Sequence, residues 1–110
     1  MNAVLEKETF LPPEGLTKVG LKAHKIIVSY LKKRGLLSSG YGRDGRVFEL
    51  PQDDNEILRI TYDGGAHGEA FEYSGGSFFL IDGMIEALRR GGFWSEPINN
   101  WSSAIRLLED

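Results

Sequence analysis

Three titratable side chains lie close together in the segment YDGGAHGEAFEY, residues 62–73. They are Asp63, His67 and Glu69, and His67 is one of 2 histidines in the chain. A histidine beside carboxylates can act as a general base or bind a metal ion. The alternative is an exposed hairpin tip, where solvated carboxylates give a histidine little pKa tuning.

The residues that flank this segment favour the hairpin. Residues 56–63 and 69–73 both alternate between apolar and polar side chains, as half-buried strands do. A short glycine-rich stretch joins the two runs, which is the pattern of a β-hairpin. We therefore place His67 at a hairpin tip and expect no catalytic or metal site there. A small enzyme that uses His67 is kept as an alternative hypothesis.

The other features that could indicate an enzyme or a cofactor lack the right context. GYGRDGRV, residues 40–47, matches the dinucleotide motif G-x-G-x-x-G, but it follows a predicted helix and precedes a predicted strand, which reverses the order that the motif needs. The chain has no cysteine, which excludes thiolate chemistry and fits a reducing compartment such as the cytoplasm. We expect no enzyme activity, no cofactor and no bound metal. The chain shows neither a signal peptide nor the roughly 20 apolar residues that span a bilayer, so we expect no membrane partner.

The chain length of 110 residues predicts one α+β domain that covers residues 1–110. Residues 1–12 have the pattern of an extended N-terminal arm. Residues 16–34 predict an amphipathic helix, because their apolar side chains fill one continuous arc at helical spacing. Gly35 then takes the position just past the helix end, where glycine is favoured.

Three strands are predicted to follow as an antiparallel meander, over residues 46–50, 56–63 and 69–73. Their apolar face would pack on the first helix through Phe48, Leu50, Leu58, Ile60, Tyr62, Phe71 and Tyr73. Their other face would be wet and would carry Glu49, Arg59, Thr61, Asp63 and Glu72.

Two short helices complete the predicted fold. The first covers residues 83–90 with Asp82 as its N-cap, and the second covers residues 101–109 with Asn99 or Asn100 as its N-cap. Residues 78–81 fit either the end of a strand or the start of a helix.

The net charge of -3 conceals a strong asymmetry along the chain. Residues 1–35 contain seven basic and three acidic side chains, a balance of about +4, whereas residues 36–110 contain six basic and thirteen acidic side chains, about -7. Such a split predicts two electrostatically distinct faces, which bears on partners rather than on the fold.

The acidic half suggests a small non-enzymatic inhibitor or regulatory protein that binds a basic protein surface. Complementary charge speeds and orients such association. The partner would be a nucleic-acid-binding protein or a nuclease, and the alternative is a plain solvated surface. The partner-binding candidates are Asp53, Asp54, Glu56, Asp63, His67, Glu69 and Glu72.

The basic half suggests a second hypothesis, which is nucleic-acid binding. A row of lysines on one helix face can contact phosphates or an acidic partner. The alternative is an ordinary solvated face, since lysine is a good helix former. The row consists of Lys18, Lys22, Lys25 and Lys32.

Two segments resemble the small phage-encoded anti-CRISPR proteins that inhibit Cas9. They are LRITYDGGAHGEAFEY, an aliphatic strand followed by an acidic aromatic one, and LIDGMIEALRRGGFWSEPINNWSSAIRLLED, read as two helices around a Gly-aromatic break. The resemblance covers about the last half of the chain as a pattern. It implies a non-enzymatic binder, encoded by a phage or mobile element, that occupies a nuclease's DNA-binding surface. The resemblance assigns a functional role to no residue of this chain. The basic first helix differs from the acidic character that the resemblance implies.

Overall fold

The computed structural model describes residues 10–37, 47–62, 66–71, 77–99 and 101–108. Over these residues the protein has an α+β fold, as the sequence predicts, with two α-helices and one four-stranded antiparallel sheet. The elements are α1 (Lys18–Lys33), β1 (Phe48–Glu49), β2 (Glu56–Thr61), a 3₁₀ helix (Ala66–Ala70), α2 (Phe78–Arg90), β3 (Phe93–Asn99) and β4 (Ser102–Leu107).

Helix α1 is capped by hydrogen bonds at both ends. The side-chain oxygen of Thr17 accepts a hydrogen bond of 3.0 Å from the backbone N–H of Gly20, which satisfies one of the free donors of the first turn. At the other end Gly35 has φ +70°, and the N–H of Leu36 donates to the carbonyl of Leu31 at 2.8 Å. The predicted first helix and its terminating glycine are therefore confirmed.

The sheet has the strand order β1-β2-β4-β3, and every neighbouring pair is antiparallel. Residues that pair directly share one face of the sheet. The face toward α1 is apolar in its centre, where Phe48, Leu58, Ile60 and Ile105 are buried. The opposite face carries one row across all four strands that consists of Glu49, Arg59, Ala104 and Glu96. Leu50, predicted to point inward, is exposed because β1 ends at Glu49.

Helix α1 packs closely on this sheet at a glycine. A Cβ atom at Gly20 would lie 2.8 Å from the carbonyl oxygen of Ile57. That separation is shorter than a normal van der Waals contact, so only glycine allows the helix backbone to approach the strand this closely. Ala23 and Ile27, on the same side of α1, are fully buried in the core.

The predicted hairpin and its third strand are wrong over the described residues. Ala66–Ala70 forms a 3₁₀ helix, and the N–H of Phe71 donates to the carbonyl of Gly68 at 2.9 Å. The Phe71 ring is buried and stacks on Tyr62 with a centroid distance of 5.5 Å. Strand β2 lies between β1 and β4, so neither of its edges is left for a strand over 69–73.

The predicted last helix is also wrong, because its residues form β4, a central strand of the sheet. The side-chain oxygen of Asn99 accepts bonds from the Trp101 N–H at 3.0 Å and from the Ser102 hydroxyl at 2.9 Å. Asparagine favours such turns as much as helix N-caps, so the same residue supports either prediction. Pro97 lies in β3, an edge strand, where a missing N–H is tolerated.

Helix α2 begins five residues earlier than predicted, after Ser77 rather than after Asp82. Phe78 and Phe79 occupy its first turn and are exposed. Because two apolar residues lie on the solvent side of this turn, its sequence does not show an amphipathic pattern. The predicted end at Arg90 is confirmed, and Gly91 follows it.

The two helices run antiparallel and meet at Gly83. The Tyr30 hydroxyl donates to the Leu80 carbonyl at 2.9 Å, and near the other end of α2 Gly91 faces Ile26. A Cβ atom at Gly83 would lie 2.8 Å from Cζ of Tyr30 and still closer to its hydroxyl. The glycine therefore makes room for the tyrosine ring.

We predict that Gly83→Ala lowers the free energy of unfolding by about 1–2 kcal/mol in urea denaturation. The methyl group overpacks the Tyr30 contact, which outweighs the gain of about 1 kcal/mol in helix propensity. The control is Arg89→Ala, an exposed position on the same helix, which should change stability by less than about 0.5 kcal/mol. A Gly83→Ala protein that is more stable than the wild type would contradict this contact.

Candidate anion-binding groove

Of the predicted partner-binding acids that the structure describes, Asp53 and Asp54 line one depression, whereas Glu56 and Glu69 lie outside its lining. Glu56 is not available to a partner, because its side chain is 0% exposed and accepts bonds of 2.7 and 2.8 Å from Arg59. This ion pair raises the pKa of the Arg59 guanidinium. Glu69 is exposed on the 3₁₀ helix, whereas Asp63 and Glu72 lie outside the described residues.

Asp53 is exposed but is already engaged by Arg106. The Arg106 guanidinium donates to the two Asp53 oxygens at 3.0 and 3.2 Å and to Glu96 at 2.7 Å. The hydrogen bonds from Arg106 lower the pKa of the Asp53 carboxyl, and those to both carboxylates raise the pKa of Arg106. The predicted acidic site thus contains carboxylates that arginines of the sheet already neutralise in part.

A shallow depression of about 1080 Å³ surrounds this ion-pair network. Asp53, Asp54, Glu96 and Arg106 line it, and Trp94 contributes an indole that is 40% exposed. We call this surface the acidic depression.

His67 was predicted to lie at an exposed tip, and that placement is wrong. Its side chain is 1% exposed, and its Nε2–H donates to the Thr61 carbonyl at 2.8 Å. Burial lowers the pKa of the imidazole, which favours the neutral ring. A general base must lie within hydrogen-bond reach of its substrate, so this burial gives no support to an enzyme that uses His67.

Phe10 links the segment before α1 to both histidines. Its carbonyl accepts a bond of 2.7 Å from Nε2–H of His24, and its buried ring meets His67 edge to face at a centroid distance of 5.2 Å. Burial also lowers the pKa of His24. Both imidazoles therefore contact Phe10, and the lowered pKa values favour their neutral forms.

A basic groove lies between α1 and α2 and encloses about 570 Å³. The residues that line it recur at three- and four-residue spacing on each helix, so each helix contributes one continuous stripe. The stripe of α1 and its C-cap consists of Lys22, Lys25, Ile26, Ser29, Tyr30, Lys33 and Arg34, and that of α2 consists of Gly83, Glu86, Ala87 and Arg90. We call this surface the basic groove.

The charge of the basic groove is strongly one-sided. It contains five cationic side chains and one carboxylate, that of Glu86, which lies 3.6 Å from Arg90 in an exposed pair. Exposed pairs of this kind contribute little, so Glu86 offsets only a small part of the positive charge. A concave surface with one sign of charge concentrates counter-ions of the opposite sign.

Two of these cations rest on aromatic rings at opposite ends of the groove. The Arg34 guanidinium lies 5.5 Å from the Tyr30 ring centroid and 4.9 Å from that of Phe79. At the other end, Nζ of Lys22 lies 5.7 Å from the Phe93 ring centroid. Cation–π contacts of this length favour a fixed position for the charged group.

The structure divides the predicted lysine row into two sets. Lys22 and Lys25 line the basic groove, whereas Lys18 and Lys32 are exposed outside it. Sequence reasoning left three groove cations out of the row: Lys33, Arg34 and Arg90. Arg90 was missed because the pairing of the two helices is not visible in the sequence. The basic last turn of α2 was the one available signal.

Two absences hold for the part of the chain that the structure describes. No group of three or more His, Asp or Glu side chains is placed to hold a metal ion. Within the same ranges, no helix combines the length and the apolar character that crossing a membrane requires.

Comparisons with protein-family models, with curated proteins and with solved structures found no match to the chain. The resemblance to anti-CRISPR proteins therefore stays a prediction.

The buried His67 predicts a loss of stability in mild acid. Its pKa in the folded protein lies below the value of about 6.5 for the unfolded chain, so the unfolded chain takes up the proton first as the pH falls. His67→Gln, whose amide can donate to the Thr61 carbonyl, should be about 1–2 kcal/mol less stable than the wild type near neutral pH. The difference should shrink below about pH 6, as measured by urea denaturation across the pH range.

His24→Gln serves as the control for this measurement, because it removes the titration of the half-buried His24 and leaves that of His67. If His67→Gln kept the full pH dependence of the wild type, His67 would not be the buried neutral ring described here.

Proposed function

We propose that the basic groove binds the phosphate backbone of a nucleic acid. The observation that carries this proposal is the convergence of five cations from two helices on one concave surface: Lys22, Lys25, Lys33, Arg34 and Arg90. The proposal develops the nucleic-acid hypothesis that the lysine row suggested. The binding surface is now the groove between the two helices instead of one face of α1.

The distribution of charge favours binding through short-range contacts in the basic groove rather than through the net charge of the protein. The whole chain carries a net charge of -3, so its long-range field does not attract a polyanion. Binding therefore depends on close contacts between groove cations and phosphates, which release condensed counter-ions. Arginines add directional hydrogen bonds to phosphate oxygens, and the rings beneath Arg34 hold one of these donors in place.

We predict that Lys22→Gln with Lys25→Gln weakens binding to a fluorescent oligonucleotide on the order of tenfold at about 0.1 M salt. The slope of log affinity against log salt should become shallower by about 0.7 for each lysine removed, if the ligand is single-stranded. Fluorescence anisotropy over a salt series measures both quantities.

The matched control is Lys18→Gln with Lys32→Gln, which removes the same charge from the same helix outside the groove. It should leave the affinity close to that of the wild type. An equal loss in the two double variants would show that the groove is not the site. No binding at low salt, or equal binding of poly-glutamate, would overturn the nucleic-acid assignment.

The acidic depression supports a second candidate function, which is inhibition of a basic protein partner. Its acids line the same depression as Trp94, and aromatic residues are enriched at protein–protein interfaces. The anti-CRISPR resemblance names Cas9 as the kind of partner to test. Since Arg106 already neutralises part of Asp53 and Glu96, Asp54 is the acid of this surface best placed to meet a partner's cations.

This second candidate predicts that an excess of the protein slows DNA cleavage by a Cas9–guide complex. Trp94→Ala and Asp54→Lys should each relieve the inhibition, because they remove an interface anchor and reverse a complementary charge. Lys18→Gln, outside both surfaces, is the control. Cleavage at the uninhibited rate with saturating wild-type protein would exclude Cas9 as the partner.

A further inference from the structure

Phe79 lies about one helical turn before Gly83, the first residue that α2 contributes to the lining of the basic groove. It lies four residues before Gly83 and seven before Glu86, so it continues the stripe that α2 contributes to the groove. Its side chain is 66% exposed although it is a large apolar ring. The Arg34 guanidinium lies 4.9 Å from the centroid of this ring, which connects Phe79 to the cations of the groove.

We propose that the ligand of the basic groove is single-stranded nucleic acid, with an unpaired base stacked on Phe79. This proposal rests on the proposed function and names the kind of nucleic acid that the groove takes. Cations that follow the backbone together with an exposed aromatic ring are the combination that binds single strands without reading their sequence. A base stacks on the ring by its π-face, which every base presents.

The shape of the groove favours a single strand over a duplex. The cations lie in the concave surface between two packed helices, whereas duplex readers present a protruding helix or ribbon to the major groove. The bases of a duplex are also stacked on one another, so none is free to cover Phe79.

Phe78 provides the matched control for this assignment. It is 74% exposed, slightly more than Phe79, but it does not share the spacing of the stripe that α2 contributes to the groove. Phe78→Ala and Phe79→Ala therefore each remove one exposed phenyl ring, at adjacent positions of the same helix. Because both rings project into solvent, both variants should fold, and Phe79→Trp tests whether another aromatic ring restores binding.

The test compares a thymidine oligonucleotide of about 15 residues with an abasic strand of the same length and charge. The wild type should bind the thymidine strand at least about fivefold more tightly than the abasic strand. Phe79→Ala should bind the two strands equally, whereas Phe78→Ala and Phe79→Trp should keep the preference. Fluorescence anisotropy gives all four comparisons.

The outcomes separate this inference from the proposed function. Equal wild-type affinity for the two strands, or a preference that survives in Phe79→Ala, overturns stacking on Phe79 and leaves backbone binding by the groove intact. Tighter binding to a duplex of the same length overturns the single-strand assignment. Failure to bind any of these probes at low salt removes the proposed function itself.

Discussion

The contact between Tyr30 and Gly83 determines where the basic side chains of the two helices meet. The tyrosine ring fits against α2 because position 83 has no side chain, and its hydroxyl bond to Leu80 fixes the register of the two helices. In this register Arg34 lies beside Phe79, and Lys22 lies at the end of the groove near Phe93. A larger residue at position 83 would separate the helices and disperse the cations. The groove is thus a consequence of helix packing.

The charge asymmetry of the sequence leads to two surfaces of different character. On the sheet, arginines are interleaved with acids, so Arg59 pairs with Glu56 while Arg106 bridges two carboxylates. In the groove, lysines and arginines from two helices converge with little compensation by acids. Ion pairs therefore offset much of the acidic charge on the sheet, whereas the basic groove keeps a local excess of positive charge.

The sequence predicts the elements whose signals are local, and it fails where pairing between distant segments decides the structure. Helix α1 carries its apolar stripe and its glycine terminator within the chain segment itself, so the predicted range of 16–34 lies close to the observed Lys18–Lys33. The segment that forms β4 has helical spacing but is recruited into the sheet by β2 and β3. His67 looks exposed among glycines, yet the 3₁₀ helix turns it into the core. Two of the five groove cations, Lys22 and Lys25, belong to the predicted lysine row, whereas the contribution of Arg90 required the position of α2.

Chemical-shift mapping in an ¹H–¹⁵N NMR titration with a single-stranded oligonucleotide tests most directly whether the groove is the binding site. The account predicts that the largest changes fall on both helices around Lys25, Arg34 and Gly83, and that the far face of the sheet around Arg59 and Glu96 changes little. Changes confined to the acidic depression, or spread evenly over all exposed lysines, would contradict it.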